Sequence, residues 1–129
     1  MTYTVLVIDD DIPIQELITE ALEDEGYWVR TARSGSEALE LVAAKPPDLV
    51  LLDQFLPGLS GYELIQQLRA SASVSPLPIV IVTADATAAD RLEALGVDTC
   101  LIKPFSLDDL IGCIEEHLPP RVRVPIVET

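Results

Sequence analysis

The stretch Leu49-Val50-Leu51-Leu52-Asp53 decides the reading of this chain, because four apolar residues in succession are closed by a carboxylate. A strand with one wet face alternates apolar and polar side chains. A strand covered on both faces is apolar at every position, as in a parallel sheet sandwiched between helices. The same pattern recurs on either side. Val5-Leu6-Val7-Ile8 runs into Asp9-Asp10-Asp11, Ile79-Val80-Ile81-Val82 into Thr83-Ala84, and Leu101-Ile102 into Lys103-Pro104. Open parallel sheets bind ligands at the carboxyl ends of their strands. Carboxylates, a hydroxyl and an ammonium are thereby gathered on one edge, a set that suits a divalent cation and a phosphoryl group.

Helical periodicity fills the gaps between these runs. Ile14, Leu17, Ile18, Ala21 and Leu22 repeat at helical spacing, with Pro13 near the first turn and Gly26 just past the end. Trp28 to Ala32 reads as a second strand. Ala38, Leu39 and Val42 mark a second helix that must stop before Pro46-Pro47. The loop from Leu56 to Gly61 precedes a third helix with Leu64, Ile65 and Leu68, and Ser71 to Ser75 form a polar loop. A fourth helix holds Ala88, Leu92 and Leu95 and closes at Gly96. A last one opens on the capping pattern Ser106 to Asp109 and carries Leu110, Ile111, Ile114 and Leu118. Strict alternation of strand and helix in five units is too short for an eight-fold barrel. The expected architecture is an open, doubly wound, five-stranded parallel sheet over residues 1–118, with 119–129 as a tail or linker introduced by Pro119-Pro120.

Composition narrows the function. A chain of 129 residues accommodates one domain. A formal net charge of −14, with only eight Lys and Arg, speaks against direct contact with nucleic acid, which needs clustered basic residues. No apolar run approaches the ~18 residues of a membrane span, and the first residues lack the basic start of a secretory signal. Cys100 and Cys113 form neither a C-x-x-C pair nor a zinc set. A cytoplasmic protein with packed thiols is expected.

The chemistry of the edge follows from its residue types. Asp10 and Asp53, at the ends of adjacent strands, would repel each other unless a cation sat between them. Mg²⁺ prefers oxygen ligands and needs only one or two carboxylates. One aspartate could then act as nucleophile toward a phosphoryl group. Lys103 would neutralise charge on the phosphoryl oxygens and Thr83 would donate a hydrogen bond to one of them.

With Val7-Ile8-Asp9-Asp10-Asp11, Asp53-Gln54-Phe55-Leu56-Pro57-Gly58 followed by Gly61, Val82-Thr83-Ala84 and Lys103-Pro104-Phe105 in this order, the chain resembles the receiver domains of two-component response regulators across residues 3 to 118. Taken singly, each piece has a plainer explanation: a capping cluster, a turn aspartate, a loop hydroxyl, a surface lysine. The resemblance implies a flavodoxin-like fold with strand order 2-1-3-4-5. It implies that Asp53 accepts a phosphoryl group from a sensor histidine kinase or phosphotransfer protein, and that the domain then switches a downstream protein or output domain. Such a domain is no enzyme beyond its own phosphorylation and dephosphorylation. Mg²⁺ would be held by Asp10, Asp53 and the Phe55 carbonyl, with Asp9 acting mainly through a bound water. Thr83 and Lys103 would complete the site.

Two departures and three rivals bear on this resemblance, one of the rivals being a pseudo-receiver, a binding module that no longer takes phosphate, against which the intact Asp53, Thr83 and Lys103 argue. Three positions before Lys103 the family often carries an aromatic residue that moves with the threonine, and here Cys100 stands in its place. Phe55 and Asp85 occupy positions that in the family tune dephosphorylation. A phosphatase of the haloacid dehalogenase type would also use D-x-D after its first strand, but it expects Thr or Val where Pro13 stands. A flavodoxin-type flavin carrier would need a phosphate cradle, which three carboxylates would repel. His117, the single histidine, falls in the last turn of the final helix, where a cation suits the helix dipole.

Overall fold

The computed structural model describes residues 3–53, 61–71, 77–83, 99–102 and 104–118, with the backbone alone for Asp53, Gly61, Tyr62, Ser71, Thr99 and Cys100. Five strands, β1 (Thr4–Ile8), β2 (Trp28–Ala32), β3 (Leu49–Asp53), β4 (Ile79–Thr83) and β5 (Thr99–Ile102), form one sheet in the order β2-β1-β3-β4-β5. Every pairing is parallel. Four helices are described: α1 (Ile12–Asp24), α2 (Gly35–Ala44), α3 (Gly61–Ser71) and α4 (Leu107–His117). The helix read from Ala88, Leu92 and Leu95 lies outside the described residues.

The all-apolar runs have the cause the sequence suggests. Alternate side chains of each strand point to opposite faces, and both faces are covered. Leu6, Ile8, Val50, Leu52, Ile79 and Ile81 pack with Ala38 and Val42 of α2 and with Leu64, Ile65 and Leu68 of α3. Val5, Val7, Leu49, Leu51, Val80 and Val82 pack on the other face with Ile18 and Leu22 of α1 and with Leu110 and Ile114 of α4. No strand position between Val5 and Ile8 or between Leu49 and Leu52 reaches solvent, so a polar residue there would be stranded.

Local chemistry sets the helix ends. Gly26, at φ 95°, adopts the left-handed conformation that closes α1. Its N–H donates to the Glu23 carbonyl at 3.0 Å, and the Tyr27 N–H donates to the Leu22 carbonyl at 3.1 Å. This pair of bonds satisfies the last turn and turns the chain into β2. At α4 the Ser106 hydroxyl accepts from the Asp109 N–H at 3.0 Å, while the Asp109 carboxylate accepts from the Ser106 N–H at 3.2 Å. The expected capping box is therefore formed. The α1 stripe differs from the expected one: its buried residues are Gln15, Ile18 and Leu22, whereas Leu17 is 55% exposed. The helix is rotated so that a polar side chain enters the core, for a reason found at the sheet edge.

Candidate functional site

The strand register brings the marked residues to one line. Ile8 sits beside Leu52, Asp53 beside Val82, and Thr83 beside Ile102. Asp9, Asp53 and Thr83 therefore end, or immediately follow, three adjacent strands on the carboxyl edge, with neighbouring strands ~4.8 Å apart. The chain steps outward from β1 to β2 in one direction and from β3 to β5 in the other. The aspartates flank that reversal, where open sheets of this kind hold their ligands.

The three consecutive aspartates do three different things. Asp9 is buried, at 5% exposure, and its Oδ1 accepts the Asp11 N–H at 2.9 Å. Its own N–H donates to the Ala32 carbonyl at 3.0 Å, extending the β1–β2 ladder by one residue. Asp11 is the N-cap of α1: its Oδ1 accepts from the Ile14 N–H at 3.2 Å. Between them Asp10 stands exposed to solvent. All three lie at the amino end of α1, where the helix dipole favours negative charge. A buried and an exposed carboxylate at one strand end, next to a third at the end of β3, offer oxygen donors only. That donor set fits a small hard cation such as Mg²⁺.

Gln15 supplies the support that sequence reading missed. It is 6% exposed, and its side-chain amide donates to the Ala32 carbonyl at 2.9 Å and to the Asp9 carbonyl at 3.2 Å. One side chain from α1 thus ties the end of β2 to the residue that begins the acidic loop. The signal was available: Gln15 falls in the stripe of Ile18 and Leu22, and a polar residue inside a buried stripe must find partners.

Thr83, the last residue of β4, is completely buried. Asp53 closes β3, with its backbone paired to β4. Cys100 is a residue of β5 opposite Ile81. Phe55 and Lys103 lie outside the described residues. His117 closes α4, as expected from its position near the helix end.

Comparison with known proteins agrees with this geometry. Residues 5–115 match the response regulator receiver domain family. The chain is 40% identical over 114 residues to the response regulator MprA of Mycolicibacterium vanbaalenii, covering 87% of this chain and 48% of that protein. It is 37% identical over 117 residues to the phosphate regulon transcriptional regulatory protein PhoB of Pseudomonas aeruginosa, covering 89% and 51%. It thus spans about half the length of the curated relatives it matches. Among solved structures, the receiver domain of NtrX from Brucella abortus superposes with a TM-score of 0.80 at 32% identity, over 90% of this chain and 98% of that one. The chemotaxis response regulator CheY4 of Vibrio cholerae gives 0.81 at 26% identity, over 91% and 99%. From strand order, edge residues and these matches together, the chain belongs to the receiver domain family of two-component response regulators.

Proposed function

We propose that this domain, over residues 1–118, is a phosphorylation switch in which Asp53 takes a phosphoryl group from the phosphohistidine of a sensor histidine kinase or phosphotransfer protein. The observation that carries the proposal is the alignment of Asp9, Asp53 and Thr83 on the carboxyl ends of three adjacent parallel strands. An Asp53 oxygen attacks phosphorus as the phosphorus–nitrogen bond breaks, and the bonding pair returns to the donor histidine. Asp9, Asp10, Asp53 and the Phe55 carbonyl would hold Mg²⁺, which when bound offsets negative charge on the phosphoryl oxygens. Thr83 donates a hydrogen bond to one of those oxygens and Lys103 pairs with another. Because Thr83 is buried, any displacement of its hydroxyl toward the phosphoryl group must be matched by repacking around β4, which is how a local charge change reaches a partner surface.

The partner that reads the switch is a downstream protein or an output domain joined through residues 119–129. MprA and PhoB are about twice the length of this chain, which supports a receiver acting as one half of a larger regulator. A net charge of −14 keeps nucleic acid off the receiver itself. No described helix is long and apolar enough to cross a membrane, in keeping with a cytoplasmic site of action. The test is phosphorylation with a small-molecule phosphodonor in Mg²⁺. Asp53→Asn is expected to abolish acid-labile phosphate uptake, and Asp10→Asn to weaken Mg²⁺ binding and slow the reaction. Phosphate on Asp53→Asn at wild-type stoichiometry would overturn the assignment.

A further inference from the structure

β2 ends the sheet, and the hydrogen bonds to β1 show which of its backbone groups point away. The Trp28 N–H donates to the Tyr3 carbonyl at 2.9 Å, and the Ala32 carbonyl accepts from the Asp9 N–H. Alternate residues of a strand direct their backbone groups to opposite sides, so Trp28, Arg30 and Ala32 face β1 while Val29 and Thr31 face outward. No strand among the described residues pairs with them. Unpaired edges of this kind are templates for strand addition.

The two faces of this edge differ in charge. Val29 packs on the α1 face and Ala32 on the α2 face, so Thr31 belongs to the first and Trp28 and Arg30 to the second. On the α1 face Thr31 shares a groove of about 580 Å³ with Glu16, Glu20 and Glu23, with Arg33 at its carboxyl end. The spacing of these glutamates sets them in one row along the helix. On the α2 face Trp28, 65% exposed, shares a groove of about 510 Å³ with Arg30 and Lys45. Arg30 is committed there, since its guanidinium donates to the carbonyls of Leu41 and Lys45. Glu23 lines both grooves, so they meet around the edge.

We propose that the β2 edge docks an extended segment of a partner protein in which Lys or Arg alternates with apolar residues. Val29 and Thr31 supply the backbone bonds. In either strand direction, alternate side chains of the added segment fall on opposite faces, so the match depends on its pattern and not on its direction. Its basic side chains meet the glutamate row, and its apolar ones cover the indole while keeping cations away from Lys45. From Glu16 to Glu23 the helix rises ~10 Å, and successive side chains on one face of a strand are ~6.6 Å apart, so two or three basic residues span the row. A second copy of the chain fits worse. Two β2 edges paired about a two-fold axis would bring two glutamate rows onto the same face.

A capped synthetic octapeptide of alternating lysine and valine, added to the intact 129-residue chain at physiological ionic strength, tests this. Trp28 is the single tryptophan, and its emission is expected to shift to the blue and saturate. At saturation the Val29 and Thr31 amides should exchange at least about threefold more slowly. Glu20 is exposed on α1, and Glu20→Lys keeps a good helix former there. This variant should bind the peptide about fivefold or more weakly, because one attraction becomes a repulsion. Equal binding of a glutamate–valine octapeptide, unchanged affinity in Glu20→Lys, or binding without protection of the two amides would each overturn the proposal. So would slow exchange of both amides before peptide is added. The edge would then be filled already, by a second copy if protection grows with protein concentration and by the chain itself if it does not.

Discussion

The side-chain amide of Gln15 donates to the backbone carbonyl of Ala32 across 2.9 Å, and by doing so joins α1, the end of β2 and the acidic loop after β1. Gln15→Leu keeps the volume close and removes the donor. The Ala32 carbonyl retains the Asp9 N–H, but the Asp9 carbonyl loses its Gln15 partner. The expected cost is ~0.5–1.5 kcal/mol, the net contribution of a lost hydrogen bond, measurable by urea unfolding. Because Asp9 begins the proposed metal loop, phosphorylation should slow in the same variant, while Gln15→Glu at low pH should restore part of both.

Asp11 separates capping from metal binding. Its carboxylate accepts the Ile14 N–H, so Asp11→Ala should destabilise the fold by ~1 kcal/mol, as loss of an N-cap does. It should leave Mg²⁺ affinity nearly unchanged, because the side chain is committed to the helix. Asp10→Asn should do the reverse. Mg²⁺ titration of both variants checks the pair, and equal losses of affinity would show that the loop acts as one acidic patch.

The same triplet shows how far the sequence is legible. Strands buried on both faces leave no polar residue in their runs, so Val5 to Ile8, Leu49 to Leu52 and Ile79 to Val82 could be placed at once, with Asp9, Asp53 and Thr83 at their ends. The strand order was implied by the resemblance to receiver domains, not by the runs themselves, and it is the observed one. Side-chain assignments within the triplet were not legible, because three identical residues differ only in which backbone groups they meet. Nor was the rotation of α1: Ile14 and Leu17 look like core residues by spacing, yet it is Gln15 that turns inward and donates to the Asp9 and Ala32 carbonyls.

Trp28 offers a negative control for the metal site. It lies beside Thr4 at the amino end of the sheet, whereas Asp9 follows the other end of β1, so ~16 Å of strand separates the two levels. Tryptophan emission should therefore change little on addition of Mg²⁺. Saturable quenching at millimolar Mg²⁺ would place a cation near the wrong end of the sheet.

Tyr27 gives the fold a defined alkaline limit. Burial pushes its phenol above the ordinary value of 10.0, and the nearby Glu115, Glu25 and Tyr3 push the same way. A phenol with a raised value in the folded state is neutral there while the unfolded chain has begun to ionise. Its contribution is therefore complete below pH ~10 and is lost as pH rises from there through the folded-state value. Tyr27→Phe removes this dependence together with the bond to the Leu118 carbonyl, whose 3.4 Å length places it among weak hydrogen bonds. The expected result is a loss of ~0.5–1 kcal/mol at pH 7 and a flatter stability profile above pH ~10 than the wild type shows. Urea unfolding across that range measures both, and parallel profiles for the two proteins would mean that another group sets the alkaline limit.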